Sequence, residues 1–154
     1  MRLYLDTEFT DLIPEAKLIS IALVDDTGDY FYAELNDNYE LKDCSAFVKA
    51  NVLPLLLGGE YLMSWNECAL KIGNWIEARG QNCIFACDNP AWDMPFVKKL
   101  LRPYIPENIK LDTIFPVYMP PFIYEEIVLA NNFKIHNALD DAKIMRLGTI
   151  KLGR

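Results

Sequence analysis

The sequence predicts an α/β fold built on a mixed sheet, and two observations carry that reading. Three strand-like runs come first, over residues 1–10, 17–24 and 30–35, joined by short connections that suit an antiparallel meander. After them, helical patterns alternate with short apolar strands, and crossovers of that kind return later strands to the sheet parallel to the first. With 154 residues, 52% of them hydrophobic, the chain has enough apolar material for one substantial core. Residues 1–154 are therefore read as a single domain.

In the first strand, period-two alternation puts Arg2, Tyr4, Asp6 and Glu8 on one face and Leu3, Leu5, Thr7 and Phe9 on the other. The apolar run 17–24 suits a central strand. The segment from Asp25 to Asp29 contains Gly28 and supplies turn chemistry, and the aromatic-rich run 30–35 completes the meander. Residues 36–43 are polar and read as a loop, followed by a short helix over 45–53 with Pro54 near its end. Ser64 or Asn66 caps a helix running to about Arg79, whose Cys68, Ile72, Trp75 and Ile76 form one apolar stripe, and Gly80 stops it. Residues 82–87 form a buried strand. The chain turns at Asp88, Asn89 and Pro90 into a helix with Asp93 in its first turn, the only turn in which Pro95 is expected to be tolerated. A last short strand covers 109–113. A link through Pro116, Pro120 and Pro121 leads to a helix over 122–130, and Asn137 caps a final helix from 138 to about 151.

A formal net charge of −7 argues against a protein that holds nucleic acid by a broad basic surface, although a small basic groove is compatible with it. No apolar run reaches the roughly 18 residues of a membrane-spanning helix. Acids at positions 6 and 8 interrupt the apolar core that a signal peptide needs, so the expectation is a cytoplasmic protein with no membrane association. Cys44, Cys68, Cys83 and Cys87 lack Cys-x-x-Cys spacing and read as small buried hydrophobes. With His136 as the only histidine, a zinc site is not expected.

Acidic residues at element ends supply the chemistry. Asp6 and Glu8 share a strand face with Cα atoms roughly 6.6 Å apart, close enough to converge on one cation or two adjacent ones. Taken alone, such a pair is equally a solvated strand end. Asp93 follows a buried strand, while Asp140 and Asp141 open the last helix, and the macrodipole favours acids at any helix start. His136 precedes that last helix, five residues before Asp141.

Together these motifs resemble the DEDDh group of 3′-to-5′ exonucleases, which includes ribonuclease T and oligoribonuclease. The group's first motif, Asp-x-Glu with an apolar residue after it, is matched by Asp6-Thr7-Glu8-Phe9. Its second, Asn followed by an aromatic and Asp, is matched by Asn89-Pro90-Ala91-Trp92-Asp93, with Trp92 in place of the more usual Phe or Tyr. The third, His-x-Ala-x-x-Asp-Ala, is matched without departure by His136 to Ala142, and Leu111-Asp112-Thr113 resembles the group's intervening short strand. The motifs run from residue 6 to residue 142 in the family's order, and the short chain looks most like the small bacterial and phage exoribonuclease branch.

The resemblance implies a ribonuclease H-like fold, with three antiparallel strands followed by parallel ones. It implies Asp6, Glu8, Asp93 and Asp141 as ligands of two Mg²⁺ or Mn²⁺ ions, with His136 as general base. Asp141 is chosen over Asp140 by the motif's spacing, and Asp140 is read as a surface acid. Oxygen-only ligands suit such ions, and two of them can clamp the attacking and leaving oxygens of a phosphodiester. Phe9 and Thr10 occupy the positions where the family holds the terminal nucleotide. Phe9 is taken as the stacking surface; Trp65 and Trp92 are weaker candidates, because an aromatic beside a loop is more often core than platform.

The expected activity is hydrolysis from the 3′ end of single-stranded RNA or a 3′ overhang, releasing nucleoside monophosphates. A 3′-to-5′ DNA exonuclease and a non-catalytic binding module that kept the fold are the alternatives. A homodimer is expected from the resemblance alone.

Overall fold

The computed structural model describes residues 1–154 and realises the meander as β1 (Arg2–Phe9), β2 (Leu18–Asp25) and β3 (Tyr30–Leu35). Each pairs antiparallel with the next. The β2–β3 turn closes because Asp25 Oδ1 accepts the main-chain N–H groups of Thr27, Gly28 and Asp29, with Gly28 at φ +96°. β5 (Cys83–Cys87) and β6 (Ile109–Pro116) join the other side of β1, running parallel to it. A two-residue strand, β4 (Leu62–Met63), extends β3 in parallel, giving the order β4-β3-β2-β1-β5-β6, in which only β2 runs opposite to the rest.

Five helices pack on this six-stranded mixed sheet: α1 (Ala46–Asn51), α2 (Trp65–Glu77), α3 (Pro90–Leu101), α4 (Pro121–Asn131) and α5 (Ala138–Lys151). Leu3 and Leu5 meet Ile72 and Ile76 of α2 and Val97 and Leu100 of α3 on one face. Tyr4, Ala22 and Val24 meet Leu139, Ala142 and Met145 of α5 on the other. Covered on both sides, β2 is buried along all eight residues, as its largely apolar run requires. Fully burying one such Leu or Ile contributes about 1.5–3 kcal/mol, so the two cores anchor the sheet that carries the acids.

Ser64, not Asn66, caps α2, its hydroxyl accepting the N–H of Glu67 at 3.2 Å. All four cysteines are buried free thiols. No helix is long and apolar enough to cross a membrane. Three expectations are corrected. β4 was not foreseen, because it exists only where an irregular segment docks on the edge of β3. β6 continues to Pro116 instead of ending at Thr113. α3 starts at Pro90, which puts Pro95 in its second turn, where the ring cannot donate to the carbonyl one turn back. Ala91 and Pro95 are both exposed, so water can take the released carbonyl.

Candidate metal centre

β1 and β5 pair only from Arg2 to Tyr4 against Ile84 to Ala86. Beyond that the two strands part, and their carboxyl ends open into a cavity of about 890 Å³. Parallel strands commonly place functional groups at this end. A register shift between Glu8 and Phe9 marks the rim, where a bulge re-aims the last strand residues.

Asp6 and Glu8 project from β1 on the α5 side, and Asp141 comes from the first turn of α5 to meet them. Their carboxylate oxygens lie within 4.8 Å of one another, all three residues being half-buried. Asp93 lines the same cavity from α3 but stands outside that tight triad. It is 4% exposed, and its Oδ1 accepts the Thr7 hydroxyl at 2.6 Å. The structure thus brings three of the four expected acids into ligating distance and holds the fourth beside them.

His136 also lines the cavity. It occupies the left-handed region at φ +67°, rare for a residue with a Cβ, and its main-chain N–H donates to Asp141 Oδ2 at 2.8 Å. Its ring meets Phe47 of α1 edge-on, with centroids 5.1 Å apart. Asn137 fixes the segment twice over. Its Oδ1 accepts the Asp140 N–H at 3.3 Å as the helix cap, and its Nδ2 donates to Leu55 O at 3.1 Å. Asp140 turns away, accepting the N–H of Lys134 at 2.9 Å.

Removal from water raises all four acids above their ordinary carboxylate range, and their neighbours add to it. Asp6 rises well above that range through burial, then through the charges of Asp93, Asp141 and Glu8. Glu8 is pushed up to about 8 by burial and by Asp141 and Asp93. For Asp93 burial outweighs the Thr7 hydrogen bond, and for Asp141 it outweighs the His136 N–H. Every charge that acts on these four is another carboxylate. An oxygen-only donor set with uncompensated negative charge fits a hard divalent cation.

Phe9 reaches the cavity wall as expected, but Thr10 does not. Thr10 is 2% exposed, its hydroxyl accepts the Lys17 N–H at 2.9 Å, and its carbonyl accepts the Ser45 N–H. It ties the end of β1 to the start of α1. Trp92, the weaker stacking candidate, lines the cavity and stacks on Phe9 at 5.5 Å with planes 14° apart. Trp65 lies away from the cavity, packed against the main core.

Asp88, Tyr124 and Phe47 are among the lining residues that the sequence does not single out. Asp88, just after β5, adds negative charge to Asp6, Asp93 and Asp141, and its place at a strand end was a usable signal. Tyr124 of α4, its hydroxyl pushed up to about 12 by burial and by Asp141 and Asp6, had no local signal, and neither did Phe47. Comparison with protein-family models and with curated proteins finds no match, so the chemistry is argued from these residues and their geometry.

Proposed function

We propose that this chain is a metal-dependent 3′-to-5′ exonuclease of ribonuclease H-like fold that degrades single-stranded RNA or 3′ overhangs to nucleoside monophosphates. The observation that carries the proposal is the convergence of Asp6, Glu8 and Asp141 within 4.8 Å, in a cavity shared with Asp93 and the only histidine. The ordered resemblance to the DEDDh motifs supports the same reading. So does the sheet, in which a three-stranded antiparallel meander is followed by parallel strands.

Asp6, Glu8, Asp93 and Asp141 would hold Mg²⁺ or Mn²⁺. Two such ions, when bound, supply the positive charge that offsets the acids and stabilises the reacting phosphodiester. The chain's own residues supply the rest. His136, on the cavity wall beside the acids, takes a proton from the attacking water. The water oxygen bonds to phosphorus, the bond from phosphorus to the 3′ oxygen of the preceding nucleotide breaks, and that oxygen takes a proton from solvent. Phe9 and Trp92 offer the terminal base an aromatic wall, and base–aromatic contacts of this kind are worth about 1–3 kcal/mol each.

A 5′-labelled single-stranded RNA, incubated with Mg²⁺ or Mn²⁺, tests the proposal. The expected result is a ladder shortening from the 3′ end that disappears in Asp6→Ala; no product with either metal sinks the proposal. A labelled DNA strand run beside it decides the preferred sugar.

A further inference from the structure

This inference rests on the exonuclease reading of the carboxylate cavity and concerns the part of the strand that lies outside it. No lysine or arginine lines that cavity, and the chain as a whole carries −7. Single-stranded nucleic acid brings a phosphate with every nucleotide, so a strand whose end lies among acids gains by placing its next phosphates near positive charge.

Trp92 lines the carboxylate cavity and also a second, smaller hollow of about 280 Å³. Ile13 and Pro14, from the segment after β1, form one wall of this hollow; Pro95 and Phe96 of α3 form the other. Lys99 is the only charged residue that lines it. Trp92, Pro95, Phe96 and Lys99 recur at i, i+3, i+4 and i+7, so they share one face of α3. Lys98, the next residue back, is paired with Asp112 at 3.0 Å. The Lys99 ammonium instead lies 5.3 Å from the Trp65 ring, which orients the charge without neutralising it.

We infer that the RNA strand leading to the 3′ end leaves the carboxylate cavity over Trp92 and follows α3, with its apolar faces against Pro95 and Ile13 and a backbone phosphate at Lys99. The seven helical steps from Trp92 to Lys99 span about 10 Å of helix. At about 3.4 Å per stacked nucleotide, that is the reach of roughly three nucleotides. The hollow is therefore a subsite for the nucleotides preceding the scissile bond.

The test pairs binding with turnover. Anisotropy of a fluorescein-labelled RNA pentanucleotide is titrated against salt in Ca²⁺ for the wild-type chain, Lys99→Gln and Lys98→Gln. Hydrolysis of the same RNA and of a nitrophenyl ester of a single nucleotide is measured in Mn²⁺. Both lysines are exposed, so the folds are expected to persist.

The inference expects Lys99→Gln to weaken pentanucleotide binding several-fold. It expects the plot of log affinity against log salt to become shallower by about 0.7, the loss of one phosphate contact on a single strand. Lys98→Gln and turnover of the nucleotide ester should match wild type. Equal slopes for Lys99→Gln and wild type, an equal effect in Lys98→Gln, or no RNA binding at all would overturn it. Binding that depends on Lys99 without any hydrolysis would remove the exonuclease reading and leave the strand path standing; hydrolysis indifferent to Lys99 would do the reverse.

Discussion

The main-chain N–H of His136 donates to Asp141 Oδ2 at 2.8 Å, so the proposed base and a proposed ligand are held by one turn of backbone. The hydrogen bond spans five residues and forms with His136 in the left-handed region, a conformation that costs a residue with a Cβ roughly 1–2 kcal/mol. What sustains it is Asn137, which caps α5 with one side-chain atom and reaches Leu55 O with another.

Asn137→Ala should therefore lower stability by about 1 kcal/mol, the usual effect of losing a cap. Asn137→Ser keeps a capping oxygen but not the amide that reaches Leu55. Serine is expected to recover the cap's share of the melting temperature while turnover on RNA stays reduced, because the turn carrying His136 has lost its tether. Thermal melts and kcat measured on both variants check this; full turnover in Asn137→Ser would show that the tether is irrelevant to the site.

The acids set the response to pH. Glu8 moves from an ordinary 4.5 up to about 8 in the folded chain, so between those values the folded state binds more protons than the unfolded one. Stability then falls as pH rises, by about 1.4 kcal/mol per pH unit for each excess proton. The contribution is complete below the unfolded value and lost above the folded one. Asp6, Asp93 and Asp141, also raised, act in the same direction. The melting temperature in EDTA should decline between about pH 5 and pH 8, and Glu8→Gln should flatten the decline. Because cations compete with these protons, the shift produced by Mn²⁺ should grow over the same range. A variant as pH-dependent as wild type would contradict the assignment to Glu8.

How much of this was legible in the sequence depends on the range over which each feature is determined. The alternation in β1 is local, so the shared face of Asp6 and Glu8 can be read directly, and the cap at Asn137 is equally local. The stack of Phe9 on Trp92 joins residues on β1 and α3, and nothing near Trp92 in the chain announces its partner. Pro95 misled for a related reason: Pro90 can open a helix on its own fixed φ, and Asn89 contributes no side-chain cap that would mark the start. β4 is illegible because two residues carry no period; they form a strand only by pairing with Glu34 and Leu35 of β3.

Glu34 makes that edge segment a further test. It is 1% exposed and accepts from the Tyr32 hydroxyl at 2.7 Å, from the Gly58 N–H at 2.9 Å and from the Leu57 N–H. Glu34→Ala would leave the buried Tyr32 hydroxyl and the part-buried N–H groups of Leu57 and Gly58 without their acceptor, a loss of about 3 kcal/mol. For a domain of this size that lowers the melting temperature by roughly 6–12 °C. Glu34→Gln, which keeps one acceptor oxygen, should lose less. Calorimetry on the two variants checks the order, and the reverse order would mean that the loop at Leu57 and Gly58 is held by something else.

The roles of His136 and the acids separate in a final pair of variants. If His136 handles a proton and does not hold the cation, His136→Ala should keep the Mn²⁺-induced rise in melting temperature and lose turnover by about 10²–10⁴-fold, the usual contribution of a positioned general base. Removing the His136 ring leaves the main-chain N–H to Asp141 in place, so the acid keeps its orientation. Asp6→Ala should instead lose both, since Asp6 is one of the three acids whose oxygens converge. A His136→Ala chain that no longer responds to Mn²⁺ would make the imidazole a ligand and require a different base.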